Sequence, residues 1–220
     1  MTRMIDTAEH TDAEGRLRVV HGVDIEAGGA GGTAPVTAQD LRQLAELGLD
    51  AVRIVGAGSA EQARELLDLA EGEGLSVILA DAPEAGAGHP ALLDVSGLAL
   101  RELSGEEPLD EELLDALDQD VTGWIYHRWE PGFATSEVAR TLRRPRPVAV
   151  AGTSLRSGRS AGGSWKAAWD GAEASAPSEF WVPEELDVEV VVDGARTSLT
   201  REGARVLVPA GPGEHRLRVS

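Results

Sequence analysis

Residues 15 to 56 constrain this chain more than any other stretch. GRLRVVHGVDI opens with a β-branched apolar run, and Leu17 to Ile25 predicts a buried strand. A Gly/Pro-rich loop, EAGGAGGTAP, follows. Thr37 is then a good N-cap with Asp40 in the capping-box position. Leu41, Leu44, Ala45 and Leu47 form an apolar stripe at helical spacing, and Gly48 is placed to end the helix. Ala51 to Val55 reads as a second strand. The unit repeats. Ser59 caps a helix with Gln62 at the box position, Ala63, Leu66, Leu67 and Ala70 make its apolar face, and Leu75 to Leu79 is a third strand ending at Asp81. Strands alternating with helices across short loops imply a parallel sheet with right-handed crossovers.

Ala91 to Leu100 predicts a fourth strand. Leu113, Leu114 and Leu117 lie on an acidic helix starting near residues 108 to 110, and Val121 to Trp129 predicts an aromatic fifth strand. Thr135 or Ser136 caps a short helix that ends before Arg144-Pro145. After Pro147 no helical period survives. Short strands are expected at 148–151, 164–169, 179–182, 188–192, 204–208 and 215–219, with turn signals at Asp193-Gly194 and Gly211-Pro212-Gly213. The expected fold class is α/β: a partial (β/α) barrel-like open parallel sheet of about five strands, then a small antiparallel β-sandwich. The expected division is 1–14 as a disordered N-terminus, 15–147 as the β/α domain and 148–220 as the sandwich. Five parallel strands do not close as eight do. Exposed edges therefore lead to the expectation that the sheet leans on the β-domain or pairs with a second copy in a homodimer.

Charge narrows the partners. Positions 1 to 150 hold 28 acidic and 12 basic residues, and positions 151 to 220 hold 10 and 8, within a net −18. Such a field repels nucleic acid and anionic membranes. There is no cysteine, which excludes disulfides, thiolate metal sites and cysteine nucleophiles. MTRMIDTAEHTDAEGR has no apolar core of a signal peptide, and no apolar run approaches the ~20 residues of a membrane-spanning helix, so a cytoplasmic location is expected. Pro35 and Val36 separate the glycine-rich loop from the helix it precedes, unlike a G-x-G-x-x-G phosphate cradle. No cofactor is expected.

GRLRVVHGVDI resembles the first barrel strand of endoglycoceramidase-like members of glycoside hydrolase family 5, where G-R-x-x-x-x-H-G-V-N is typical. LAELGLDAVRIVG resembles the family's next helix and strand. GLSVILAD, LLDVSGLAL and TGWIYHRW are similar to its third, seventh and eighth strands, and LRRPRPVAVAGT and EFWVPEELDVEVVVDG to its C-terminal sandwich. The resemblance implies an eight-stranded barrel ancestor with its site at the C-terminal strand ends. It also implies a retaining glycosidase with two carboxylates about 5 Å apart. The Asn-Glu-Pro motif that carries the family's acid/base glutamate is absent, and Val95 falls where the nucleophile glutamate is expected. Arg53, which in the family orients that nucleophile, is kept, as are His21 and, in place of an Asn, Asp24.

The expectation is thus a shortened, degenerate relative that is catalytically inactive and binds a carbohydrate or glycolipid. Arg53, His21, Trp124, Tyr126 and His127 are its substrate-binding candidates, the aromatics because their faces stack on sugars. The alternatives are a residual glycosidase using Asp24, Asp94 or Glu130 as a rearranged carboxylate pair, and a structural protein with no ligand. Clustered carboxylates at a sheet edge raise one another's pKa and can act as an acid/base pair. Trp129-Glu130-Pro131 has the look of Asn-Glu-Pro but follows the last strand. His21 and His127 with Asp24 and Asp81 would be an N/O metal set, but no local ligand spacing supports one, so no metal is expected. Ser154, Ser157 and Ser160 sit in a Gly/Arg/Ser loop without the G-x-S-x-G elbow of a serine nucleophile.

Overall fold

A computed structural model describes residues 11–27, 35–56, 59–80, 86–93, 100–104, 109–119, 123–160 and 162–220. The first half of the chain runs β1 (Leu17–Arg18), β2 (His21–Glu26), α1 (Ala38–Glu46), β3 (Ala51–Val55), α2 (Ala60–Gly72), β4 (Ser76–Leu79), β5 (Leu100–Ser104), α3 (Glu111–Gln119), β6 (Gly123–His127) and α4 (Glu137–Leu142). The second half runs β7 (Arg146–Val150), β8 (Gly152–Arg159), β9 (Trp165–Gly171), β10 (Ser178–Trp181), β11 (Val188–Val192), β12 (Ala195–Arg196), β13 (Thr200–Glu202), β14 (Arg205–Val208) and β15 (Gly213–Val219).

The parallel sheet has the order β4-β3-β2-β6-β5. The expected caps hold: Thr37 and Asp40 close a reciprocal capping box on α1, and the Ser59 and Ser136 hydroxyls accept from the N–H groups of Gln62 and Ala139. Alternation along the strands splits the residues between two faces. Val23, Ile25, Val52, Ile54, Val77, Leu79, Leu103 and Trp124 pack with the helices in the main core. Val20, Ala51, Ile78 and Ile125 form a smaller cluster on the opposite, inner face.

Three local differences from the sequence pattern have physical causes. The run 17–25 is two strands, not one: β1 pairs with β7 of the sandwich, while β2 pairs with β3 and β6. Residues 11 to 14, expected to be frayed, form a turn fixed by Asp12, whose side chain accepts from the N–H groups of Glu14 and Arg16; residues 1–10 lie outside the described residues. The expected fourth strand divides. Leu92 bridges Val77 beside β4, residues 94–99 lie outside the described residues, and the strand that pairs with β6 is Leu100–Ser104. β4 is thereby flanked by Ala91 to Leu93, and β5 is short, with exposed charges at Arg101 and Glu102 that oppose pairing with another chain.

The sandwich has two five-stranded sheets, β1-β7-β10-β14-β13 and β12-β11-β15-β9-β8. Trp165, Trp169, Phe180, Val190, Val206 and Leu217 fill the space between them. From its residues alone β8 has the pattern of a loop, because its inward positions offer only Leu155 and Ser157 as signals.

Arg146 fastens the sandwich to the parallel sheet. It is buried, with its guanidinium carbon 5.7 Å from the ring centre of Trp124 on β6 and 5.1 Å from that of Trp181 on β10. It donates to the carbonyls of Leu142 and Leu47 at 3.2 and 2.5 Å. Gly48 makes room: its φ is +82°, and a Cβ there would lie 2.3 Å from the Trp181 ring. Beside this staple, the His21 N–H donates to Asp50 Oδ1 at 2.7 Å, and the Asp50 N–H to the His21 carbonyl at 2.9 Å.

Burial pushes the Asp50 carboxyl up to about 6, against the opposing pull of Arg18, the His21 N–H and Arg146. Burial first, then Arg146 and Arg144, holds His21 well below its ordinary value. The two act in opposite directions. Asp50 contributes stability that is full below its unfolded value of about 4 and is lost as pH rises through 6. His21 stays neutral when folded, so stability is lost as pH falls below about 6.5, where the unfolded chain takes up its proton. We expect Asp50→Asn to make the loss of thermal stability between pH 7 and 4.5 steeper than in the parent, and His21→Gln to make it shallower. Melts followed by circular dichroism across that range check both signs.

Candidate functional site

The inner face carries a charged cluster that runs from the middle of the parallel strands to their C-terminal ends, the side on which open α/β sheets bind ligands. Asp24 on β2 and Arg53 on β3 are register partners. Arg53 donates from Nε to Asp24 Oδ1 at 2.6 Å and from Nη2 to Oδ2 at 2.8 Å, a bidentate pair. Arg53 Nη1 also donates to Glu102 Oε1 on β5. His127, the last residue of β6, sets Nδ1 3.0 Å from Asp24 Oδ2. The reach from β3 to β5 crosses three strand spacings of about 4.8 Å, so the sheet is concave toward this cluster.

The members differ in exposure. The Asp24 side chain is 2% exposed, Arg53 21%, His127 51% and Glu102 68%. Arg53 is raised above its ordinary value, first by the hydrogen bond to Asp24 and then, against burial, by that to Glu102. Both Asp24 oxygens are occupied and buried, which leaves that carboxylate no surface from which to protonate or attack a ligand. Its role is to orient Arg53 and His127. Glu102 is the open carboxylate of the group, and the imidazole of His127 is held by one nitrogen.

The other sequence candidates are placed elsewhere. His21 and Trp124 are at the opposite end of the sheet, buried edge to face with ring centres 5.1 Å apart near Arg146. Tyr126 lies on the helix-facing side, 5.8 Å from Phe133 between ring centres, and burial followed by the charge of Glu130 raises its phenol. Glu130 is exposed, 3.7 Å from Arg128, which donates to Glu26 at 2.5 Å. Asp94 and Asp81 lie outside the described residues. Asp24, Arg53 and His127 are therefore brought together, and His21, Trp124, Tyr126 and Glu130 are not among them. Glu102 was missed. The resemblance drew attention to LLDVSGLAL, yet the strand begins at its last residue and continues through Arg101-Glu102-Leu103-Ser104. Leu103 in the core with Glu102 on the opposite face is the period-2 signal that marks it.

One further group has metal-like spacing. Asp68, Glu71 and His89 each place a ligand atom within 4.8 Å of the others. His89 Nδ1 accepts the Ala91 N–H at 3.2 Å, so the neutral ring carries its proton on Nε2 and donates it to Asp68 at 3.1 Å. That tautomer makes a hydrogen bond, not a metal ligand.

No protein-family model and no curated protein matches the chain. Among solved structures it is similar to Cryptococcus neoformans sterylglucosidase 1, with 13% identity and a TM-score of 0.40 over 76% of this chain and 33% of that one. It is also similar to a family 29 α-L-fucosidase from Bacteroides thetaiotaomicron (8%, 0.28, covering 82% and 59%). A third is the catalytic domain of a family 30 xylanase C from Talaromyces cellulolyticus (12%, 0.23, covering 83% and 66%). All three are glycoside hydrolases, and this chain spans about a third of the sterylglucosidase. Likenesses of this size assign no family. Among the described residues no helix is long and apolar enough to cross a membrane.

Removing Arg53 would leave the buried Asp24 without its charged partner and with only the His127 imidazole against it. We expect Arg53→Met to destabilise the fold by about 2–3 kcal/mol, below the usual cost of breaking a fully buried pair because Arg53 is partly exposed. Adding Asp24→Asn should recover part of that loss. Urea unfolding of both variants checks this, and additive losses would contradict the pairing.

Proposed function

We propose that this protein binds a carbohydrate, free or as a glycolipid headgroup, at the Asp24–Arg53–Glu102–His127 cluster, and does not cleave it. The observation that carries this reading is the sharing of one guanidinium between a buried and an open carboxylate. Glycoside cleavage needs two working carboxyl groups, one of them able to donate a proton. Here Asp24 is consumed by Arg53 and His127. What remains is Glu102 to accept hydrogen bonds from vicinal hydroxyls and the half-exposed imidazole of His127 to exchange them, a polar set suited to polyols. The strand resemblance of residues 15–56 to barrel glycosidases supports descent from a sugar site.

A second reading has its own observation. Glu102 stands in the relation to Arg53 that the resemblance requires of a nucleophile, and His127, oriented by Asp24, has the form of a positioned acid/base. A residual glycosidase would then use Glu102 and His127 in place of the carboxylate pair expected from Asp24, Asp94 or Glu130.

Titration with lactose and cellohexaose, followed by tryptophan fluorescence, tests the first reading. Trp129 is the reporter: its backbone N–H donates to the Asp24 carbonyl at 2.8 Å, and its ring packs in the core on the other side of the sheet. A saturable response that Glu102→Gln reduces at least about tenfold is expected, corresponding to ~1.4 kcal/mol. No release of 4-nitrophenol from aryl glycosides is expected. No response to either glycan contradicts binding. Turnover that disappears in both Glu102→Gln and His127→Gln replaces the first reading with the second.

A further inference from the structure

The sandwich carries a surface that the inner-face cluster does not explain. A groove of about 600 Å³ runs over the outer face of the β12-β11-β15-β9-β8 sheet. Among the described residues five basic side chains line it, Arg156, Arg159, Lys166, Arg216 and Arg218, against one acidic residue, Glu189. In a chain of net −18 this concentration runs against the overall charge.

Register makes the concentration specific. Gly158, Lys166, Arg218 and Glu189 lie in one row across β8, β9, β15 and β11, and Arg156, Ala168, Arg216 and Val191 in the next outward row. Lys166 and Arg218 are direct cross-strand partners, at a spacing where like charges repel. Most of the ion-pairing capacity near them is spent elsewhere: Arg159 donates to Glu111, Arg216 to Glu214, and Glu189 is paired with Arg196 at 2.6 Å. Among the described residues Arg156, Lys166 and Arg218 have no ion-pair partner. The sheet thus holds three open cations around a floor of glycine, alanine and valine. Such an array stores repulsion that an anion relieves.

We propose that this groove binds an anionic oligosaccharide through its carboxylate or sulfate groups. Charge complementarity requires an anion, and shape selects its form. A flat anionic membrane must approach the whole molecule and meets the net negative field. A narrow chain lies in the groove, and its contacts are local because charges beyond about 10 Å are screened at 0.1 M salt. Among the described residues the lining contains no aromatic side chain on which a nucleobase would stack. Arginine forks suit the planar carboxylate of a uronic acid and the oxygens of a sulfate ester alike. This site lies on the outer sheet of the sandwich, with Gln119 of α3 at its margin, and it extends the proposed sugar binding to a second surface, one that selects an anionic saccharide.

The test is titration calorimetry with a heparin hexasaccharide, a galacturonic acid hexamer and neutral cellohexaose, alongside phosphatidylserine vesicles and a ten-residue oligothymidylate. Lys166→Gln/Arg218→Gln is the test variant. Arg42→Gln/Arg140→Gln removes the same charge from α1 and α4. At least one acidic hexasaccharide should bind the parent and weaken about tenfold in the test variant, with a reduced salt dependence, while the α1/α4 variant binds as the parent does. Both variant pairs replace exposed residues, and melting curves check that each remains folded. The proposal is overturned if neither acidic hexasaccharide binds, if the α1/α4 variant loses as much affinity as the test variant, or if vesicles or the oligonucleotide bind when the acidic saccharides do not.

Discussion

Arg53 is the residue on which the inner face depends. A guanidinium presents its donors in a rigid fork, and here the fork is divided between two carboxylates from strands that are not neighbours. Asp24 tolerates burial because Arg53 and His127 saturate its oxygens. Glu102 is held over the concave face because the third nitrogen of Arg53 reaches it. Without that fork, a buried aspartate would be uncompensated and the exposed glutamate would be an ordinary surface side chain. The same division limits the chemistry. An arginine that holds one carboxylate in the interior and steadies another at the surface leaves an open acceptor beside an oriented imidazole, a set suited to hydroxyl groups.

A second arginine does the corresponding work between the two halves of the molecule. Arg146 lies between Trp124 and Trp181 and caps carbonyls at the ends of α1 and α4. Nearby, Asp118 on α3 accepts from Arg144 at 2.9 Å and, through its carbonyl, from Ser157 of β8 at 3.0 Å, with Trp165 Nε1 at 3.3 Å. Burial raises Asp118, opposed chiefly by Arg144. The join is therefore a polar network set among tryptophans. His21 belongs to this join, buried against Trp124 and near Arg146 at the end of the sheet away from the cluster.

Much of the fold was legible because local signals agreed with it. Thr37, Asp40 and Gly48 mark α1 at both ends, and the apolar periods of 41–47 and 63–70 give the helix faces. The parallel sheet follows from alternation alone. Two features were hidden for physical reasons. β8 buries little apolar surface and alternates arginine with small polar residues, so its pattern is that of a loop. The break at Val19 and Val20 is invisible because both sides of it are apolar, and only pairing with different sheets separates β1 from β2. For the site, Arg53, Asp24 and His127 were recognisable as strand residues, but their partner was not. Glu102 lies just past the apolar run Leu98-Ala99-Leu100 and Arg101, and the single apolar residue after it, Leu103, is a weak period-2 signal among many acidic neighbours. Trp124 and Tyr126 attracted a sugar-stacking reading because they alternate on an aromatic strand. The face they occupy is decided by the helices that cover it.

The division of Arg53 between Asp24 and Glu102 is the central claim, and arginine side-chain NMR measures it directly. In protein labelled with ¹⁵N-arginine, the account predicts slowed exchange of the Arg53 Nε–H and restricted rotation of its guanidinium. Addition of a bound oligosaccharide should shift those resonances together with the His127 ring. A freely rotating, rapidly exchanging Arg53 guanidinium, or sugar-induced shifts confined to residues away from the inner face, would contradict it.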